Sequence, residues 1–185
     1  LMIRTLSKPV LIGGFTVLAI SGAYLPTALD FIADCLRSPW AHSFRGEPTL
    51  TGLWRGDLVY SAIGKRSITL EIRHDPKPGK FSQEHYQRRG GFDGVAEITN
   101  AQGYSVRYEV WGRANRDGSE VHINFKTLNQ QSLAVPQPVF TELQGVWRGQ
   151  FLELTGKYEM QLITGSSSVW NSDWPSGTLA ATLTQ

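Results

Sequence analysis

A single cysteine, Cys35, stands in the whole chain of 185 residues, so no disulfide can form within it and no cysteine-based zinc site can be assembled. Charge is also scarce. Charged residues make up 18% of the sequence and the net charge is +2, which excludes the dense cationic surface of a nucleic-acid binder; no nucleic acid polymer is expected as a partner. Catalytic punctuation is missing as well. The four histidines, His42, His74, His85 and His122, show neither HExxH nor another metal-ligand spacing, and no GxSxG turn marks a nucleophile. His74 and His85 share a stretch with Asp75 and Glu84 that reads as a solvated loop. Gly90-Gly91-Phe92-Asp93-Gly94 lacks the lysine and the helix of a phosphate loop and reads as a bend in a strand. The sequence therefore offers no catalytic residue, no metal ligand and no cofactor, and a non-enzymatic role is expected.

What is present begins with one uncharged run, residues 9–29 (PVLIGGFTVLAISGAYLPTAL). A helix of that length spans about 30 Å, the thickness of a bilayer core. One N-terminal transmembrane helix is expected there, holding the chain to the lipid membrane. Arg4 and Lys8 precede the run and favour the cytoplasmic side, which sends the remainder outward, to the periplasm or the cell exterior. The competing expectation is a cleaved signal peptide with Val10 to Ile20 as its apolar segment and Ser21-Gly22-Ala23 as its cleavage site, which yields a secreted protein. Asp34 directly before Cys35 departs from a lipoprotein box. The reading divides the chain into an anchor or signal at 1–34, a juxtamembrane linker at 35–49, and a barrel domain at 50–185.

The barrel expectation rests on period-2 alternation. Leu50 to Leu58 reads LTGLWRGDL and Leu143 to Phe151 reads LQGVWRGQF, so one opening, LxGxWRG, occurs twice. In the first copy Leu50, Gly52, Trp54, Gly56 and Leu58 share a face; in the second Leu143, Gly145, Trp147, Gly149 and Phe151 do. Further strands are expected around Ile68 to Ile72, Phe92 to Ile98, Tyr104 to Val110, Val121 to Phe125, Lys157 to Ile163 and Gly177 to Thr184. Asn100 to Gly103 and Asp117-Gly118 supply turns between them. The sum is a mainly β domain, an antiparallel up-and-down barrel of about eight strands, whose closure removes sticky sheet edges. Trp54, Tyr108, Phe125, Trp147 and Met160 are expected inside it.

The LTGLWRGDL segment resembles the first strand of lipocalin, fatty-acid-binding and avidin-type barrels, the calycin-type group whose first strand often reads LxGxW. The resemblance implies a small barrel with an inner cavity. It implies no biotin site, because Gly56 and Tyr60 stand where avidins carry ligand-contacting Asn and Ser. A membrane segment joined to a GxW barrel is also similar to bacterial antiphage effectors whose barrel senses cyclic nucleotides, although those keep the barrel cytoplasmic behind two helices.

Two segments are candidates for contact with a ligand or partner. Arg73 to Arg89 is a long, locally basic connection carrying Arg73, Lys77, Lys80, Arg88 and Arg89 against Asp75 and Glu84. Ser166 to Pro175 places Trp170 and Trp174 in a polar loop, where such rings anchor interfaces or cap the barrel. The leading expectation is an outward, membrane-tethered barrel that binds a small apolar ligand or a protein partner. The alternatives are an accessory subunit of a larger membrane complex, a cyclic-nucleotide-sensing effector, and a barrel enzyme assembled from scattered residues.

Overall fold

The computed structural model describes residues 26–43, 46–74, 91–128, 136–164 and 167–185. The chain divides into two units, Leu1–Arg37 and Ser38–Gln185. In the first, a helix covers residues 26–37. Leu29, Ile32 and Leu36 are exposed on it, and their spacing puts them on one face, away from Asp30, Asp34 and Arg37. Residues 9–25 of the expected anchor lie outside the described residues. Among the described residues no helix is long and apolar enough to cross a membrane.

The second unit is a closed barrel. Its described strands are β1 (Gly52–Tyr60), β2 (Gly64–Arg73), β3 (Gly91–Thr99), β4 (Ser105–Ala114), β5 (Val121–Thr127), β6 (Gln137–Val139), β7 (Glu142–Arg148), β8 (Phe151–Thr164), β9 (Ser167–Trp170) and β10 (Ser176–Thr184). Eight of them close in the order β1-β2-β3-β4-β5-β7-β8-β10, with β10 pairing back onto β1 and every pair antiparallel. This up-and-down architecture is compatible with a calycin-like barrel. The short β6 and β9 both pair with the far half of β8. Gln161 faces Gln137 of β6 on one edge and Trp170 of β9 on the other, so β6 prolongs the β7 flank and β9 the β10 flank.

Alternation explains why these segments are strands. Along β10 the buried residues are Leu179, Ala181 and Leu183, and along β5 they are Val121, Ile123 and Phe125. Burying each such aliphatic or aromatic side chain contributes about 1.5–3 kcal/mol. Where a strand must curve over its neighbour, glycine replaces the inward side chain. A Cβ on Gly112 would collide with the His122 carbonyl and lie 2.6 Å from Phe92 Cζ. Strands β4 and β5 can approach there only because that position is bare.

The two motif copies fold differently, which corrects the expectation of equal strands. The first runs unbroken into β1: Trp54 is fully buried, and its indole Nε1 donates to Leu50 O at 2.8 Å. The second breaks. Strand β7 stops at Arg148, Gly149 (φ 64) and Gln150 make a two-residue connection, and Phe151 opens β8, 52% exposed. Gly149 and Phe151 therefore do not share the inner face with Leu143 and Gly145. Trp147 is half-buried at the barrel rim, with its Nε1 donating to Gly149 O at 2.6 Å and its backbone N–H donating to Gly118 O at 2.8 Å.

The antiparallel register defines two ends. At the proximal end lie the start of β1, the end of β2, the start of β3, the hairpin after β4 and the β7–β8 connection. The turns at 61–63 and 101–103, the far half of β8, and β6 with β9 lie at the distal end.

Candidate functional site

The inner space is occupied along its length. At the proximal end, a 3-10 turn at Pro39–Ala41 inserts Trp40, 1% exposed, edge-on to Phe92 with ring centroids 5.7 Å apart. Trp40 O accepts from the Leu50 backbone N–H at 2.8 Å, so the plug is tied to the entry of β1. Leu58, Leu70, Val110, Ile123, Leu143 and Leu154 fill the middle, all within 1% of complete burial. An aromatic cluster closes the distal end. Tyr60 and Tyr158 meet edge-to-face at 5.0 Å, Tyr108 stacks on Phe140 at 5.7 Å, and Phe125 meets Phe140 at 4.9 Å. Arg66 lies over the Tyr60 ring and donates to Gln137 Oε1 at 3.0 Å. Burial pushes the Tyr108 hydroxyl up to about 12 and raises that of Tyr60 further, since a phenolate has no water there to solvate it.

The outer wall, by contrast, carries a groove of about 680 Å³ across β7, β8, β10 and β1. Cross-strand register builds it. Gln144 faces Thr155, Thr155 faces Ala180, and Ala180 faces Val59, so one row of short outward side chains crosses four strands. Thr178 and Ser61 continue the floor, while Glu142 and Lys157 supply one charge of each sign. Small side chains at Thr155, Ala180 and Thr178 leave a trough that long side chains would fill.

Glu142 connects this groove to a charged network. His122 Nδ1 lies 3.0 Å from Glu142 Oε1, and Nε2 lies 2.7 Å from Glu120 Oε1. With a carboxylate on each nitrogen, both nitrogens act as donors, which favours the imidazolium. Hydrogen bonding to Glu120 and then Glu142 raises the His122 pKa, and the bond from His122 lowers those of both glutamates. Gln144 Nε2 also donates to Glu142 Oε1 at 3.2 Å. The hydrogen bonds that raise the His122 pKa and lower those of Glu120 and Glu142 favour the ion-paired form of this network.

The described residues of the two candidate contact segments, Arg73 on one side and Trp170 with Trp174 on the other, fall at opposite ends of the barrel. Arg73 closes β2 at the proximal end, and its guanidinium is held by Glu71 at 2.8 Å. Lys77, Lys80, Arg88 and Arg89 lie outside the described residues. Trp170 projects from β9 at the distal end, 59% exposed, and Trp174 is half-buried beyond a turn in which its N–H donates to Asn171 O. Of the residues expected inside, Trp54, Tyr108 and Phe125 are buried, and Trp147 and Met160 are partly buried against the same core. Sequence reasoning missed Trp40, assigned to the linker because residues 35–49 show no period of either kind. It missed His122 as well, whose two partners come from its own strand entry and from β7. It also missed the meeting of His42 and His74, whose ring centroids are 5.6 Å apart. No family model, no curated protein and no solved structure matches this chain.

Proposed function

We propose that the protein is a membrane-tethered, non-enzymatic barrel, facing out of the cell, that binds a protein partner on its outer wall rather than carrying a small apolar ligand inside. The observation that carries this reading is the packed interior set beside an open exterior groove. Trp40 and the tyrosine cluster occupy both ends of the lumen, whereas the groove of about 680 Å³ is lined by small side chains, hydroxyls and one charge of each sign, a surface suited to a polypeptide. Exposed Trp170 and Val169 on β9 add apolar anchors beyond the barrel end. The tether is supported by the uncharged run at 9–29 with its basic flank, and by the exposed apolar face of helix 26–37.

Native mass spectrometry of the detergent-purified full chain tests the choice. The expected spectrum contains the chain with a retained polypeptide and no small organic molecule. A stoichiometric lipid-like ligand released from the wild type would overturn the proposal. The groove is tested by Ala180→Arg, which adds a long side chain at an exposed position; partner retention should fall about tenfold, a loss of ~1.4 kcal/mol, with unchanged melting.

A further inference from the structure

We infer that the distal mouth of the barrel is a carboxylate-binding site built from Arg66, Tyr158, Tyr60 and Gln137. Arg66 occupies an inner-face position of β2, in line with buried Ile68, Leu70 and Ile72, and is itself half-buried. An inward arginine calls for a counter-charge, yet no inner-face position of the described barrel strands carries Asp or Glu. The connections β1–β2, β3–β4, β5–β6 and β8–β9 contain none either, and Asp173 before β10 is exposed. The partners Arg66 does have are neutral. Gln137 Oε1 accepts from its Nη1 at 3.0 Å, and the Tyr60 ring lies 5.9 Å from its Cζ. Its other guanidinium nitrogens have no hydrogen-bond partner among the described residues.

A second, independent observation lies beside it. The Tyr158 hydroxyl is buried without a hydrogen-bond partner among the described residues, and its ring meets that of Tyr60 edge-to-face at 5.0 Å. A buried hydroxyl left unpaired costs stability, and an acceptor from outside the chain would complete this one. Burial raises the Tyr60 and Tyr108 hydroxyls and Arg66 offsets part of that rise, which puts its charge within electrostatic reach of both. Both therefore remain donors. Ile63, Val106 and Met160 around the mouth are only partly buried, so the cluster borders solvent. The guanidinium fork matches the two oxygens of a carboxylate, and a phenolic O–H supplies a further bond. One cation with neutral hydroxyls balances a single negative charge, which selects a carboxylate over a phosphate monoester carrying about −1.5 to −2 at neutral pH. The bound group caps the filled lumen rather than entering it. Its source is an acidic side chain or C-terminus of a polypeptide, which rests on the partner reading above, or a free small carboxylate.

The experiment titrates the full chain in detergent with sodium acetate, against acetamide and sodium chloride at matched concentration, and follows the backbone amide resonances of Tyr60 and Gln137 by NMR. A saturable shift with acetate alone is expected. Arg66→Gln should abolish it. Tyr158→Phe should weaken it roughly tenfold or more with an unchanged or higher melting temperature, whereas a purely structural tyrosine would leave the acetate response untouched. Native mass spectrometry of the Arg66→Gln variant separates the two sources: lost polypeptide retention assigns the carboxylate to the partner, and unchanged retention assigns it to a free small molecule. Absence of an acetate response in the wild type overturns the site, as does one that survives both substitutions or that acetamide reproduces. Those results leave the partner reading standing, since Ala180→Arg tests it separately.

Discussion

Trp40 and Trp54 are both buried to within 1% of completion, yet only one of them sits in a strand. Trp54 is placed by alternation and satisfied by Leu50 O at 2.8 Å. Trp40 comes from a segment without pattern, and its Nε1 is buried without a hydrogen-bond partner among the described residues; that omission costs about 1–3 kcal/mol, which the burial of the ring must exceed. Trp40→Ala is therefore expected to destabilise by about 3–5 kcal/mol in chemical denaturation, whereas Trp170→Ala, at an exposed position, should stay within about 0.5 kcal/mol. His122 provides a second test at this scale. Its raised pKa contributes stability that is complete below the unfolded value of about 6.5 and is lost as pH rises through the folded value. The lowered pKa values of Glu120 and Glu142 contribute above their unfolded value and are lost in acid. The network thus stabilises most at about pH 4.5–6.5. The melting-temperature difference between wild type and His122→Gln should be largest there and shrink toward alkaline pH; a difference that grew with pH would contradict the doubly paired imidazolium.

At the scale of elements, the LxGxWRG repeat shows how far alternation can be read. It locates Trp54 and Leu58 on the inner face of β1, and Leu143 on that of β7, because side-chain direction along a strand is set by the backbone alone. Where a strand stops depends on its neighbours, and here β7 runs past the start of β5 at Val121 and meets the hairpin after β4. Gly118 sits in that hairpin at φ 73, and a Cβ on it would lie 2.5 Å from Trp147 Cε3. Trp147 therefore lies against the turn, and the chain reverses at Gly149. The turns at Asn100–Gly103 and Asp117-Gly118 were legible because their residue types carry the turn chemistry. The Trp40 plug and the His122 network were not, since each depends on pairing between segments distant in sequence. Gly118→Ala should cost more than Gly103→Ala. The latter meets only the left-handed penalty of roughly 1–2 kcal/mol, with nothing within 4 Å of its Cβ. Gly118→Ala adds an overpacking cost of about 1–3 kcal/mol against the indole, read as a larger fall in denaturation midpoint.

For the whole molecule, the question that divides a carrier from a binding module is whether the lumen has room. Barrels of eight strands are just wide enough either to be filled by their own side chains or to hold one small ligand. This one takes the first course, with Trp40 and Trp54 toward one end, Tyr60, Tyr108 and Tyr158 toward the other, and aliphatic residues between. Two buried inward positions carry alanine, Ala96 at 2% exposure and Ala181 at 5%, and they probe the interior directly. Ala96 faces Leu70 and Tyr108 across its two neighbouring strands, and Ala181 faces Leu58 and Leu154. In a filled lumen, Ala96→Leu and Ala181→Leu each force side chains off their rotamers and should destabilise by about 1–3 kcal/mol. In a hollow one the added leucine would bury apolar surface without collision and stabilise the fold. Equal or higher denaturation midpoints for both variants would therefore refute the packed lumen and return the function to ligand carriage, while lower midpoints leave the outer wall as the surface on which this barrel can act.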